Sequence, residues 1–256
     1  MTEIDTDKPN AARIYDYMLG GSHNFEADRA AGERLLEFFP SLRNGMRTGR
    51  WFMHDVVERM TKSNFHCYLD LASGIPTEGY VHELSPGAKV LYNDRDAVTV
   101  AYARQILGDT PNVRYNQSDL NNVEELLAEA SSFFGDNRHI GICFVGVAYF
   151  LEDAVVQQIL DHLYEWAAPG SELAMTWLIG DPANPALKEM LDTYEKIGAS
   201  LTFRSPEAVR TLISKWSIQE PGLIRISEWL ALDGWHEQGS TDTSAYEPWG
   251  VLLRKD

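Results

Sequence analysis

His66-Cys67-Tyr68-Leu69-Asp70-Leu71, the turn Ala72-Ser73-Gly74, and then Lys89-Val90-Leu91-Tyr92-Asn93 closing on Asp94 form the stretch from which the fold is read. The first run reads as a strand, the small residues as a tight turn, and the second run, after a short helix, as a neighbouring strand with an acid at its tip. Outward from it the alternation continues. Ala97 to Leu107 reads as a helix and Asn112 to Gln117 as a strand, after which Asn121 caps a helix through Phe134 with Glu124 closing a capping box. His139 to Val147 is apolar enough for a strand buried on both faces. Asp153 to Ala168 is amphipathic and stops at Pro169-Gly170, and Glu172 to Leu178 is the fifth strand. Strands and helices in alternation imply a parallel sheet covered on both sides.

The last third breaks this rhythm. Asn184 to Gly198 and Ser205 to Trp216 read as two helices with no strand between them. Ser217 to Leu232 carries two short apolar pieces around Pro221-Gly222, and Trp249 to Arg254 is a final strand. Late strands without an intervening helix imply an antiparallel hairpin at one sheet edge, with Gly239 to Tyr246 as a polar loop. The expected architecture is one α/β domain over residues 1–256. Its core, 61–256, is a Rossmann-like, seven-stranded, mostly parallel sheet with helices on both faces and the edge hairpin, and 1–60 forms an N-terminal helical lid region.

Composition narrows the function classes. A chain of 256 residues with 44% hydrophobic residues can build a full core. The net charge of −16 argues against a nucleic-acid backbone or an anionic membrane surface as main partner. Met1 to Asn10 is acidic and polar, unlike a signal peptide, and no apolar stretch is long enough to span a bilayer. Cys67 and Cys143 fall in predicted strands, as buried thiols of a cytoplasmic protein do, and no Cys/His cluster points to a metal.

The glycine spacing selects among nucleotide ligands. A dinucleotide site wants G-x-G-x-x-G, so that pyrophosphate can meet bare amides at a helix N-terminus. Asp70-Leu71-Ala72-Ser73-Gly74-Ile75-Pro76 has one glycine, and a proline where an N–H would be needed. That disfavours a nicotinamide-dependent oxidoreductase and favours an adenosine ligand without phosphates. An acid some 20 residues after the first strand can accept two hydrogen bonds from a ribose diol, a role that fits Asp94. Any βαβ unit has a small-residue turn; Asp70 and Asp94 at two neighbouring strand tips are what distinguish this one.

Pro9-Asn10-Ala11-Ala12-Arg13-Ile14-Tyr15-Asp16-Tyr17-Met18-Leu19-Gly20-Gly21, followed by Asn24-Phe25 and Asp28-Arg29, resembles the N-terminal pattern of a bacterial subfamily of class I S-adenosylmethionine-dependent methyltransferases, long catalogued as a domain of unknown function. Nearly the whole chain shares the resemblance. Arg47 and Arg50-Trp51-Phe52 resemble its A-R-x-N-R-x-F helix, with Gly49 in place of asparagine. Leu69-Asp70, Gly74-Ile75-Pro76-Thr77 and Val81-His82-Glu83 resemble its D-x-G-x-G-x-P-T…V-H-E run, with Ala72 in place of the first glycine. Asn93-Asp94-Arg95 stands where the pattern has V-D-x-D-P; Pro221-Gly222, Trp229, Gly250-Val251 and Arg254-Lys255 match the C-terminal signatures.

The resemblance implies S-adenosyl-L-methionine as cofactor and a small-molecule acceptor, with no nucleic-acid or membrane partner; the oligomeric state stays open, a homodimer included. It implies Asp94 and Arg95 at the ribose, and Ser118, Asp119 and Leu120 at the adenine. Asp70, Ala72, Ser73, Gly74 and Arg50 would lie at the methionine end, and Gly146-Val147 beneath the sulfonium. The competing reading of Asp119 is a cap before Asn121-Asn122, and the cofactor role is preferred. The N-terminal segment reads either as a helix packed for stability or as a lid bringing Tyr15, Tyr17 and Gly21 to the pocket. Tyr149 and His23 are the catalytic candidates; Tyr15, Tyr149 and Trp177 are the acceptor-side candidates, and His82 reads as packing on the first crossover helix. Two other readings keep the fold: a non-methylating reaction of the same cofactor, by cyclisation or alkyl transfer, and a binding protein without turnover.

Overall fold

The computed structural model describes residues 6–76, 79–180, 187–196, 200–232 and 247–256. Three helices come first: α1 (Ala11–Leu19), α2 (Glu26–Phe38) and α3 (Leu42–Lys62). Strands and helices then alternate as β1 (Cys67–Asp70), α4 (Val81–Leu84), β2 (Lys89–Asp94), α5 (Ala97–Leu107) and β3 (Val113–Gln117). α6 (Val123–Phe134), β4 (Gly141–Phe144), α7 (Asp153–Trp166) and β5 (Glu172–Ile179) complete the alternation. The last part holds α8 (Lys188–Lys196), α9 (Pro206–Leu212), β6 (Ser217–Ile218), β7 (Ile224–Arg225), α10 (Ile226–Trp229) and β8 (Glu247–Arg254). The expected loop from Gly239 to Tyr246 lies outside the described residues.

The sheet runs β3-β2-β1-β4-β5-β8-β6, with β7 also paired to β8. β1 to β5 are parallel, and β8 runs antiparallel to β5, β6 and β7. Among the described residues eight strands replace the expected seven, because Ile224–Arg225 adds a two-residue strand beside β8. β1 pairs with β2 on one side and β4 on the other, so the chain order reverses there. Loops leaving the two halves part at such a point and open a crevice at the carboxyl ends of the strands.

Alternation along the strands divides the core. Leu69, Leu91, Ile142, Met175 and Trp177 pack on one sheet face with residues of α6, α7 and α9. Tyr68, Val90, Tyr92 and Ala174 pack on the other with residues of α3 and α5. One local expectation is corrected. Asn121 does not cap α6; a 3-10 turn over Leu120–Asn122 precedes that helix, and Asp119 Oδ1 accepts from the Asn121 backbone N–H at 2.9 Å. Asp is as good a cap as Asn, and it stands one turn earlier.

The N-terminal motif holds itself together. Asn10 caps α1 by accepting from Ala12 N at 2.9 Å. The helix ends at Gly20, φ +88°, where Gly20 N donates to Tyr17 O and Gly21 N to Asp16 O, the paired bonds of a Schellman stop. A Cβ at Gly21 would overlap the Asp16 carboxylate, so only glycine fits. That carboxylate accepts from His23 N and Asn24 Nδ2, each at 2.8 Å. Arg13 Nε meets Asp28 Oδ2 at 2.7 Å with both side chains buried, and Asp28 also accepts from Asn10 N and Phe25 N. Buried charges persist only when paired and hydrogen-bonded, and Arg13 and Asp28 are both. Arg13→Ala should therefore cost about 3–5 kcal/mol, because it strands the Asp28 charge. Urea unfolding checks this; a loss below about 1 kcal/mol, typical of a surface pair, would contradict it.

Candidate active site

Three strand tips are tied together by one buried side chain, Asn93. Its Oδ1 accepts from Ala72 N at 2.9 Å, and its Nδ2 donates to Ser118 O at 3.0 Å and Ser118 Oγ at 3.1 Å. Ser73 N donates to Asn93 O at 2.8 Å. The turn after β1, the end of β2 and the loop after β3 are thus held as one unit. Two buried phenols hold the turn's carbonyls: Tyr80 donates to Ser73 O and Ile75 O, and Tyr115 donates to Gly74 O at 2.6 Å. Ala72 sits at φ +48° and Gly74 at +70°, so this turn carries a left-handed alanine where the subfamily pattern has glycine.

Asp94 follows on the same unit. Its Oδ2 accepts from Gly74 N at 3.2 Å and its Oδ1 from Asp96 N at 2.9 Å. Each oxygen retains lone-pair capacity for a further donor. Burial raises its carboxyl above the ordinary range, opposed by those backbone donors. Asp70, at the tip of β1, is also buried, and burial pushes its carboxyl up to about 7 although the Arg50 charge draws it down. The Arg50 guanidinium lies over the rings of Tyr80 at 4.8 Å and Tyr15 at 5.7 Å, and its buried Nε has no hydrogen-bond partner among the described residues. A buried N–H of a cation without an acceptor is expensive.

These residues line one cleft at the crevice between β1 and β4. Among its walls are Tyr15, Arg50, Asp70, Ala72, Ser73, Gly74, Asp94, Arg95, Ser118, Asp119, Leu120, Gly146, Val147 and Tyr149, all expected from the sequence. Asp119 is both a cap and a wall: its recorded bonds, from Asn121 N and Nδ2, fall on Oδ1. α1 covers the cleft with Ala11, Ala12 and Tyr15, and Asn10 Nδ2 reaches Asp96 Oδ2 at 3.2 Å.

Four expected residues lie elsewhere. Tyr17, two positions past Tyr15, falls on another side of the helix, where its hydroxyl donates to Glu33 under the Arg43 guanidinium. Gly21 closes the helix stop against Asp16. His23 sits edge-on to Tyr102, with ring centroids 5.9 Å apart, away from the cleft. Trp177 is fully buried in the sheet face that packs on α6 and α7, because strand alternation gives the site side to Thr176 and Leu178.

Asn93, Tyr80, Tyr115, Met46, Asp96 and Tyr194 were not singled out from the sequence. For Asn93 a signal was present: an amide amid the buried residues of β2, where the pattern has valine, must find hydrogen bonds. The tyrosines gave none, since aromatic residues in a strand or after a turn read as core.

A Rossmann-like sheet of this order, with a phosphate-free turn and an acid at the second strand tip, defines an adenosyl-binding methyltransferase fold. The chain belongs to the S-adenosyl methyltransferase family, whose model matches residues 1–255, so its cofactor is S-adenosylmethionine. It is 27% identical to a candidate methyltransferase from Thermobifida fusca YX, with TM-score 0.84 over 98% of this chain and 97% of that one. It is 25% identical to a DUF574 family protein from Streptomyces avermitilis MA-4680, with TM-score 0.82 over 99% and 100% of the two chains. Magnesium protoporphyrin IX methyltransferase from Synechocystis PCC 6803, crystallised with S-adenosylhomocysteine, shares the fold at 14% identity, with TM-score 0.51 over 96% and 100%. No curated protein matches the chain.

Two of the departures from the pattern, Ala72 and Asn93, are hydrogen-bonded to each other, which predicts coupling. Asn93→Val should cost about 2–3 kcal/mol by orphaning Ala72 N and Ser118 O. In the Ala72→Gly background, where the turn can relax, the same change should cost at least about 1 kcal/mol less. A urea-unfolding double-mutant cycle measures this, and additive losses would refute it.

Proposed function

We propose that the cleft binds S-adenosylmethionine with the ribose on Asp94, the adenine beside Ser118, Asp119 and Leu120, and the methionine end at Arg50, Asp70 and the turn from Ala72 to Gly74, and that the methyl group passes to a small-molecule acceptor. The observation that carries this is Asp94: a buried carboxylate fixed by two backbone amides at the second strand tip, open to a cleft whose turn offers no phosphate cradle. Arg50 supports it, since it brings a cation to the wall of the cleft beside Asp70, where the methionine carboxylate needs one.

When bound, the cofactor supplies a methyl carbon activated by positive sulfur, which the acceptor's lone pair takes as the carbon–sulfur electrons return to sulfur. The chain's own part is positioning. α1 lies over the cleft and excludes water; Tyr15 and Tyr149 present aromatic faces to a cation. Gly146, at φ +80° and held by its N–H on Thr176 Oγ1 at 2.7 Å, presents bare backbone beneath that position. Tyr149 is the hydroxyl beside Gly146 and the candidate to receive or relay the acceptor's proton. A small acceptor, not a nucleic acid, accords with the net charge of −16.

Asp94→Ala should weaken S-adenosylhomocysteine binding by about 1.5–3 kcal/mol in calorimetry, the loss of charge-assisted hydrogen bonds. Unchanged affinity in a folded variant would overturn the assignment. Asp70 generates a pH prediction. Its folded value of about 7 lies above the unfolded value near 4, so its contribution to stability is full below the unfolded value and is lost as pH rises through 7. Wild type should therefore lose about 2–4 kcal/mol relative to Asp70→Asn between about pH 4 and pH 8, read from urea midpoints. Parallel pH profiles for the two proteins would contradict it.

A further inference from the structure

A second cavity opens beside the cofactor cleft and shares Tyr15, Met46, Val145, Gly146, Tyr149 and Tyr194 with it. Its remaining walls come from α3 (Leu42, Gly45, Gly49), from Thr176 and Leu178 of β5, and from Leu201, Ile226 and Pro248. Among the described lining residues there is no Asp, Glu, Lys, Arg or His. The Tyr194 hydroxyl is held in its neutral form by burial. Thr176 Oγ1 is engaged by Gly146 N.

Gly49 is the feature without another explanation. It lies inside α3, where glycine costs about 1 kcal/mol relative to alanine. Its φ is not positive, and a Cβ built there meets nothing within 4 Å. Neither backbone conformation nor close packing asks for glycine. The subfamily pattern has asparagine at this place. What the missing side chain does is leave room in the second cavity.

We infer that this cavity is the acceptor subsite, that it takes the uncharged aromatic part of a small acceptor, and that Gly49 sets its size. The inference rests on the cofactor reading above. An ionised group would enter a cavity with no opposite charge among its described walls, a penalty that an uncharged ring avoids. Three tyrosine rings and six aliphatic side chains offer contact to a flat apolar body. The shared wall at Gly146 and Tyr149 brings that body against the place where the proposed cofactor pose puts the methyl group. This places acceptor selection on α3 and on Thr176 and Leu178 of β5, not on Trp177 between them.

The test uses 2-naphthol as an uncharged bicyclic probe and 2-naphthoate as its anionic counterpart. Titrations by calorimetry use the full chain saturated with S-adenosylhomocysteine. Wild type should bind 2-naphthol saturably and 2-naphthoate at least tenfold more weakly. Gly49→Leu, which favours the helix and fills the space, should weaken 2-naphthol at least tenfold and leave S-adenosylhomocysteine affinity within threefold. Gly49→Ala should keep 2-naphthol within threefold. Absence of saturable 2-naphthol binding, equal binding of the two probes, or full retention in Gly49→Leu would overturn the inference. Failure of wild type to bind S-adenosylhomocysteine would instead overturn the cofactor reading beneath it.

Discussion

The cleft's wall at the tips of β1, β2 and β3 depends on the hydrogen bonds that Asn93 makes across all three. A parallel sheet fixes its strands in register but leaves the loops beyond their carboxyl ends free to diverge, and that divergence creates the crevice. A ligand needs groups from those loops at fixed separations. A buried amide, with two donors and an acceptor, can satisfy the turn after β1 and the loop after β3 together. Asp94, the next residue, inherits that rigidity. So does Ala72, whose left-handed conformation is unfavourable for any residue with a Cβ and persists because Asn93 and the phenols of Tyr80 and Tyr115 hold the turn around it.

The N-terminal motif follows a different logic. Arg13, Asp16, Gly21, Asn24 and Asp28 bond chiefly to one another, with Asn10 the member that reaches Asp96 at the cleft. Such a buried ionic clasp adds less net stability than apolar packing would, but it specifies one conformation, since any other leaves a buried charge unpaired. α1 is held at one angle over the cleft. Its apolar face, Ile14 and Met18, joins a core cluster with residues of α2 and α8, and Tyr15 is left to face the cleft.

Charge is unevenly used within the two cavities. The cleft at the strand tips gathers Asp70, Asp94, Asp96, Asp119, Arg50 and Arg95, while the adjoining cavity is walled mainly by tyrosine and aliphatic residues. The polar cleft suits a ligand bearing an ammonium, a carboxylate, a diol and an amino group. The apolar one suits a body without charge. The two lie side by side and share Gly146 as a wall.

By itself the sequence determined the parallel core, the absence of a dinucleotide turn and the two acids at neighbouring tips, because strand periodicity and glycine spacing are local properties that tertiary contacts seldom override. It also marked Arg50, Asp119 and the turn residues, which lie at strand ends or on a recognisable motif. Tyr17, His23 and Trp177 went the other way for one reason. Which side of a helix or strand a residue faces is set by the packing partner, and Tyr17 met Glu33, His23 met Tyr102, and Trp177 met the helices of the opposite layer. The bonds joining Asn93 to Ala72 and Ser118 span 21 and 25 residues along the chain. Only the folded sheet, which sets those three segments side by side, could decide that they act as one.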